Sequence, residues 1–214
     1  MRYHGTIHLI MPRLLLFSDV HSDHDACRRL VDRAPEVDVV VGAGDFCVAR
    51  RGLEDTIAVL SDIAVPTVLV PGNSESAREL RTACQGWNAA HVLHGEGCTV
   101  DGLPFFGIGG GIPVTPFGAW SYDFSEQEAA ALLAGCPAGA VLVSHSPPKN
   151  VVDRDSNGRN LGSTAVRNAI EEKAPQLVVC GHIHGSWEER GLLGRTTVIN
   201  AGPNGVEWEV PVEE

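Results

Sequence analysis

The amino-acid sequence predicts an α/β fold in one domain that contains two sheets. Short runs of β-branched residues and leucine alternate with amphipathic helical patterns through the first half, and the second half contains more strand-like runs. The chain has 214 residues, of which 43% are hydrophobic and 20% charged, so it can bury a core of ordinary size. The sequence has no internal repeat, low-complexity tract or linker, which favours a single domain over residues 11–214.

Strands and helices alternate regularly in the first half. Ser76 and Glu79 form the Ser-x-x-Glu pattern of a capping box, which marks the start of a helix. A β-α-β-α-β-α order favours a mainly parallel sheet with helices on its faces. The predicted strands are residues 13–17, 37–41 and 65–70, and the predicted helices are residues 25–34, residues 54–63 and the segment after Ser76.

Short strands joined by tight turns dominate the second half. Ser125 and Glu128 cap an alanine-rich helix that ends at Gly135, and Ser163 precedes a helix over residues 164–173. The last two strands are expected to form a closing pair. The predicted strands are residues 91–93, 98–100, 104–108, 140–143, 177–180, 196–199 and 206–210.

Two long loops interrupt this pattern. Residues 109–122 are rich in glycine, proline and aromatic side chains, and residues 147–162 are polar with several glycines. Long loops in compact domains often carry function, and a plain surface excursion is the alternative for each. In the second loop, Arg154 and Arg159 are candidates for contact with a substrate phosphate, with solvated side chains as the alternative.

The composition limits the classes of binding partner and the cellular locations that are expected for this protein. The formal net charge of −11 disfavours binding to long nucleic acid but is compatible with a small phosphorylated substrate. The six cysteines form no Cys-x-x-Cys pair, which favours reduced thiols in a cytoplasmic protein. No stretch approaches the roughly 18 apolar residues of a membrane span. Residues 1–10, before Met11, are expected to be an N-terminal extension, and both a monomer and a homo-oligomer are compatible with the sequence.

Residue types that bind metals recur directly after five predicted strands. In open α/β sheets the carboxyl ends of the strands form the ligand crevice, so these side chains are expected to converge. Each motif alone has an ordinary explanation, either a turn or a buried histidine. Their order and their repeated position after strands predict a metal site instead. The candidate ligands are Asp19, His21, Asp45, Asn73, His145, His182 and His184.

The chemistry of this set favours two divalent ions. Imidazole, carboxylate and amide oxygen suit first-row metals, so manganese, iron, zinc and nickel are candidates, with manganese favoured. A shared carboxylate can bridge two ions about 3.5–4 Å apart, an arrangement that clamps the attacking and leaving oxygens of a phosphoryl group.

The series of motifs resembles the calcineurin-like metallophosphoesterases, whose signature runs Asp-x-His, Gly-Asp, Gly-Asn-His-Asp/Glu, His and Gly-His-x-His. The resemblance extends from about Leu14 to Asn200. Within it, the segment from His145 to Ser163 resembles the small bacterial, phosphodiesterase-like branch of the family. It implies a four-layer α/β/β/α sandwich of two mixed sheets with two metal ions between them. It also implies hydrolysis of a small or nucleotide-like phosphodiester or phosphomonoester by a metal-bound hydroxide.

The resemblance further implies a role for each ligand. Asp45 would bridge the two metals. One metal would be bound by Asp19, His21 and His184, and the other by Asn73, His145 and His182. The candidate catalytic residues are Asp45, Asn73 and His145.

Ser74 departs from the family signature, because the family usually has a histidine there that is thought to protonate the leaving group. A serine hydroxyl is far too weakly acidic to do this near neutral pH. His24 is a candidate substitute, and a solvated histidine at a helix start is the alternative. Glu75 is expected to support the loop.

Two other functions stay open. A scaffold of the same fold without turnover is disfavoured by the complete ligand set, and hydrolysis of bis(p-nitrophenyl) phosphate with manganese would exclude it. A nuclease of the same family is disfavoured by the acidic balance, the small size and the lack of a separate capping domain. Activity on DNA would identify it.

Overall fold

The computed structural model describes residues 11–210 and divides their strands between two sheets. The expected extension, residues 1–10, lies outside the described residues. In chain order the strands are β1 (Arg13–Phe17), β2 (Val39–Gly42), β3 (Thr67–Leu69), β4 (Ala90–Val92), β5 (Glu96–Val100), β6 (Leu103–Ile108), β7 (Val141–Ser144), β8 (Leu177–Cys180), β9 (Arg190–Leu193), β10 (Thr196–Asn200) and β11 (Val206–Glu209). The helices are α1 (His24–Arg33), α2 (Leu53–Leu60), α3 (Ala77–Ala83), α4 (Glu126–Leu133) and α5 (Thr164–Lys173), with short 3-10 turns at Ala34–Glu36 and His184–Ser186.

Both sheets are mixed. The first has the order β11-β1-β2-β3-β4, in which β1 to β4 are parallel and β11 is antiparallel to β1. The second has the order β5-β6-β7-β8-β10-β9, in which β6, β7, β8 and β10 are parallel and the edge strands are antiparallel to their neighbours. The strand–helix alternation of the first half therefore predicts its parallel core correctly.

Side chains that alternate along each strand separate the molecule into layers. In β1, Leu15 and Phe17 pack with residues of α1, α2 and α3. Leu14 and Leu16 point the other way and pack with strands of the second sheet. The second sheet has α4 and α5 on its outer face. The result is the four-layer α/β/β/α sandwich that the family resemblance implies.

The helices begin where their capping residues predict. The capping boxes that start at Ser76 and Ser125 are both present, and the Ser163 hydroxyl accepts the N–H of Val166 at the start of α5. Within residues 11–210, no helix combines the length and the apolar character needed to cross a membrane.

The carboxyl-terminal region differs from the prediction in two ways. Strands β10 and β11 do not form a closing pair: β10 lies between β8 and β9 in the second sheet, and β11 pairs with β1 in the first. Strand β9 was not predicted, because its four residues include an arginine and a glycine and none is fully buried. By contrast, β1, α5 and β8 have the predicted bounds at both ends.

Gly107 of β6 packs closely against residues that belong to the first half of the chain. A Cβ atom built on Gly107 would lie 2.4 Å from Cβ of Leu93 and 2.7 Å from Cγ1 of Val70. Leu93 and Val70 directly follow strands of the first sheet and belong to the core between the sheets. The absence of a side chain at Gly107 therefore permits this packing.

Gly107→Ala is expected to lower the free energy of unfolding by about 1–3 kcal/mol, because the added methyl group must push packed side chains apart. Chemical denaturation of the two proteins measures the difference. Gly135→Ala is the matched control, since a Cβ there would lie 3.6 Å from the nearest atom, which is ordinary contact. Equal losses in the two variants would contradict the explanation.

Candidate metal centre

The structure brings all seven candidate ligands to one edge of the sandwich. The first sheet contributes Asp19 and His21 after β1, Asp45 after β2 and Asn73 after β3. The second sheet contributes His145 after β7, and His182 and His184 after β8. Because the strands that precede these residues are parallel within each sheet, their carboxyl ends face the same way.

Asp45 lies between two histidines from different sheets. Its Oδ1 is 3.5 Å from Nε2 of His145, and its Oδ2 is 3.6 Å from Nε2 of His21. The N–H of Ser74 donates to Oδ1 at 2.8 Å and orients the carboxylate. One oxygen therefore faces each histidine, which is the arrangement that a bridging carboxylate requires.

Hydrogen bonds to backbone carbonyls determine which ring nitrogen of His21 and of His145 can bind a metal. Nδ1–H of His21 donates to the Cys47 carbonyl at 3.1 Å, and Nδ1–H of His145 donates to the Ala43 carbonyl at 2.7 Å. In the neutral form of each ring the unprotonated nitrogen is then Nε2, which faces the centre. Partners of this kind fix both the tautomer and the ring orientation of metal-binding histidines.

One compact group consists of Asp19, His21 and His184. One ligand atom from each lies within 4.8 Å of the others. Nε2 of His21 is 3.2 Å from Nε2 of His184, which is in turn 3.8 Å from Oδ1 of Asp19. Asp19, Asp45 and His145 form a second group within the same distance, so Asp19 lies near both halves of the centre.

The other half contains Asn73, His145 and His182. Oδ1 of Asn73 is 3.2 Å from Nε2 of His145, and the rings of His145 and His182 have centroids 4.9 Å apart. Nδ2 of Asn73 donates to the hydroxyl of Ser121 at 3.1 Å, and the N–H of Tyr122 donates to the Asn73 carbonyl at 2.9 Å. The loop over residues 109–122 therefore holds this candidate ligand in place. Sequence reasoning did not identify Ser121, and its only signal was the length of the loop.

The donor atoms fit a divalent cation. Nδ1–H of His145 donates to a backbone carbonyl, so Nε2 faces the oxygens of Asn73 and Asp45, and in the neutral ring no hydrogen atom lies between these atoms. Acceptor atoms this close repel each other unless a positive charge lies among them. Nitrogen and oxygen donors of these types suit first-row divalent metals. The residues thus fit the metal pair that the motifs predict, and metal binding itself stays a prediction.

The close packing of charged and titratable groups at the centre shifts several pKa values. Burial opposes the charge on Asp45, but His145 and His21 hold the pKa of its carboxyl below the ordinary value. Burial also opposes a charge on His145, yet Asp45 and Asp19 raise the pKa of this histidine. Burial and the neighbouring His145 lower the pKa of His182 to about 3, so this ring is neutral and able to bind metal at neutral pH.

Glu75 supports the loops and does not face the centre, as the sequence suggested. Its Oε1 accepts the N–H groups of Gly72 at 2.6 Å and Asp45 at 2.9 Å. Its Oε2 accepts those of Phe46 at 3.1 Å and Cys47 at 3.2 Å. The side chain is fully buried. One carboxylate therefore joins the loop after β2 to the loop after β3.

The chain belongs to the calcineurin-like phosphoesterase superfamily, because the model of that domain matches residues 13–210. Comparison with curated protein sequences gives no match. Among solved structures, TT1561 of Thermus thermophilus has a TM-score of 0.74 at 18% identity, over 94% of this chain and 100% of that one. A dimetal phosphatase from Danio rerio has a TM-score of 0.60 at 18% identity, over 90% of this chain and 88% of that one. Phosphopantetheinyl hydrolase from Mycobacterium tuberculosis has a TM-score of 0.57 at 16% identity, over 90% of this chain and 89% of that one. These identities support likeness of fold alone.

Asp45→Ala is expected to remove both metals and to lower turnover more than any other single ligand substitution. The reason is that the two oxygens of Asp45 face one histidine from each proposed metal, His21 and His145, so this carboxylate would offset the repulsion of two cations. Elemental analysis after reconstitution should give two equivalents for the wild type and fewer than one for the variant. Asp25→Ala is the control, because Asp25 is an exposed aspartate that pairs with Arg28. Near-normal turnover with both metals retained would remove Asp45 from the bridging role.

Proposed function

We propose that this protein is a dinuclear metal-dependent phosphoesterase that hydrolyses a small phosphodiester or phosphomonoester. The observation that carries the proposal is the position of Asp45, whose two oxygens face His145 and His21 at 3.5 and 3.6 Å. Membership of the calcineurin-like phosphoesterase superfamily supports the same class of reaction.

In this proposal Asp19, His21 and His184 hold one divalent ion, Asn73, His145 and His182 hold the other, and Asp45 reaches both, with manganese favoured. When bound, such a pair supplies Lewis acidity towards a phosphoryl group and lowers the pKa of water. The chain contributes the orientation. Backbone carbonyls fix the rings of His21 and His145, and the low pKa of His182 keeps its ring unprotonated.

The serine at position 74 leads us to propose that the protein hydrolyses diesters, and esters with good leaving groups, faster than other esters. The residue is buried beside the centre, and its N–H contacts Asp45. Its hydroxyl is too weakly acidic to protonate a departing alkoxide near neutral pH, so the family histidine has no equivalent at this position. Esters whose leaving group departs as a stable anion need no such proton.

Exposed aromatic rings on the loop that contacts Asn73 support a nucleotide-like substrate. Phe117 and Trp120 stack with ring centroids 5.6 Å apart and are 50% and 38% exposed. Trp120 directly precedes Ser121, which accepts a hydrogen bond from Asn73. Exposed aromatic faces bind planar groups such as nucleobases by stacking.

Charge and cysteine state support the remaining parts of the proposal. With 27 acidic against 16 basic residues, the chain favours a small substrate over a nucleic acid polymer. All six cysteines are free, and five are buried. Unpaired thiols are typical of a reducing compartment, which supports a cytoplasmic location.

The protein loaded with Mn²⁺ is expected to hydrolyse bis(p-nitrophenyl) phosphate, and a chelator or His145→Ala should abolish the activity. It is also expected to prefer the p-nitrophenyl ester of thymidine 5′-phosphate over methyl p-nitrophenyl phosphate. Trp120→Ala should reduce this preference, measured as the ratio of kcat/KM values, by lowering kcat/KM for the thymidine ester with little effect on methyl p-nitrophenyl phosphate. Two bound metals without turnover would identify a scaffold, and turnover confined to DNA would identify a nuclease.

Ser74→His is expected to raise rates selectively on poor leaving groups, because a general acid contributes about 10²–10⁴-fold when the leaving group needs a proton. The measurement is the slope of log rate against the pKa of the leaving group for both proteins. The wild type should give a steep negative slope and the variant a shallower one. A shallow wild-type slope that the substitution does not change would mean that another acid, with His24 the first to test, supplies the proton.

A further inference from the structure

Trp187 contacts two candidate ligands of the same proposed metal. Its indole Nε1–H donates to Oδ2 of Asp19 at 3.2 Å. Its ring lies against the imidazole of His184, with centroids 4.3 Å apart and planes 33° apart. One partly buried side chain therefore contacts a carboxylate from the first sheet and a histidine from the second.

The backbone provides a fixed position for this indole. Gly202 has a φ of +64°, and a Cβ atom there would lie 2.9 Å from both Cβ and Cγ of Trp187. The N–H of Gly202 donates to the Ser18 hydroxyl at 3.0 Å, and its carbonyl accepts the Ser18 N–H at 2.8 Å. The glycine that makes room for Trp187 is thus joined to the residue beside Asp19.

The two oxygens of Asp19 have different surroundings. Oδ2 accepts the Ser18 hydroxyl at 2.5 Å, the Trp187 indole at 3.2 Å and the His182 N–H at 3.1 Å. Oδ1 shares the His182 N–H at 3.1 Å and lies 3.8 Å from Nε2 of His184. Because side-chain donors occupy Oδ2, Oδ1 is the oxygen available to a cation beside His184.

We propose that Trp187 is a positioning residue for the metal held by Asp19, His21 and His184. Its N–H directs Oδ1 of Asp19, and its ring limits rotation of His184, so that both ligands face one point. This inference rests on the proposed metal centre. Hydrogen-bonding partners of metal ligands typically change metal affinity by about 10–100-fold. Among the described residues, no hydrogen bond or ring contact joins Trp187 to Asn73 or His145, so the second metal is expected to bind as before.

Two substitutions separate the hydrogen bond from the ring contact. Trp187→Phe retains an aromatic ring beside His184 and removes the N–H, whereas Trp187→Leu removes both. Calorimetric titration of the metal-free, full-length protein with Mn²⁺ should resolve two binding steps. One step should weaken about 10-fold in Trp187→Phe and further in Trp187→Leu. The visible absorption of the Co²⁺-loaded protein should change as well, because these bands report the ligands and geometry of the ion.

Trp208→Phe is the matched control. The Nε1 of Trp208 in β11 is buried and has no hydrogen-bond partner among the described residues, so the same chemical change there removes no contact to a candidate ligand. Circular dichroism checks that each variant is folded. Unchanged affinities and an unchanged Co²⁺ spectrum in Trp187→Phe would overturn the inference and leave the proposed function standing. Equal weakening of both steps would overturn it too, whereas a wild-type protein that binds no metal would contradict the proposed function itself.

Discussion

The buried carboxylate of Glu75 is the interaction on which the site depends. An N–H buried without a partner costs about 1–3 kcal/mol, and Glu75 satisfies four of them in two neighbouring loops. Burial and the nearby Asp45 carboxylate raise the pKa of Glu75 to about 7, so the fold holds this acid where its charge is disfavoured. The four N–H groups offset that cost. Without Glu75 the loops that carry Asp45 and Asn73 would lose the buried acceptor that they share, although the Ser74 N–H would still donate to Asp45.

Four of the seven candidate ligands have strained backbone conformations. Asp19, His21, Asp45 and His182 have φ values of 54°, 41°, 57° and 66°, in the left-handed region that disfavours residues with a side chain. Such conformations cost about 1–3 kcal/mol each and persist only where surrounding contacts impose them. Here the N–H groups of Asp19 and His21 donate to the carbonyls of Gly44 and Asp45. The neighbouring loops therefore hold each other in strained conformations that direct the ligands inwards.

Patterns that are local in the sequence predict most strands and helices. The features that they do not predict depend on contacts between residues distant in the sequence. The apolar runs and capping residues gave the bounds of β1, β8 and α5, because strands buried on both faces and capped helices have strong local patterns. The candidate ligands were recognisable because each follows such a strand. Pairing of β11 with β1 joins residues almost 200 positions apart, and no local pattern encodes that choice. Trp187 likewise appears in the sequence as an ordinary aromatic residue, since its contacts with Asp19 depend on the meeting of two sheets.

The pairing of the last described strand with the first has a consequence for synthesis of the protein. Until β11 leaves the ribosome, the outer edge of β1 has no partner, although β1 is the apolar strand that precedes Asp19 and His21. Unpaired strand edges of this kind invite association with other chains. Chain elongation at about 5–20 residues per second leaves that edge open for roughly ten seconds or longer while the intervening residues are made. A nascent or prematurely terminated chain would thus expose an unpaired edge of β1 that β11 covers in the folded protein.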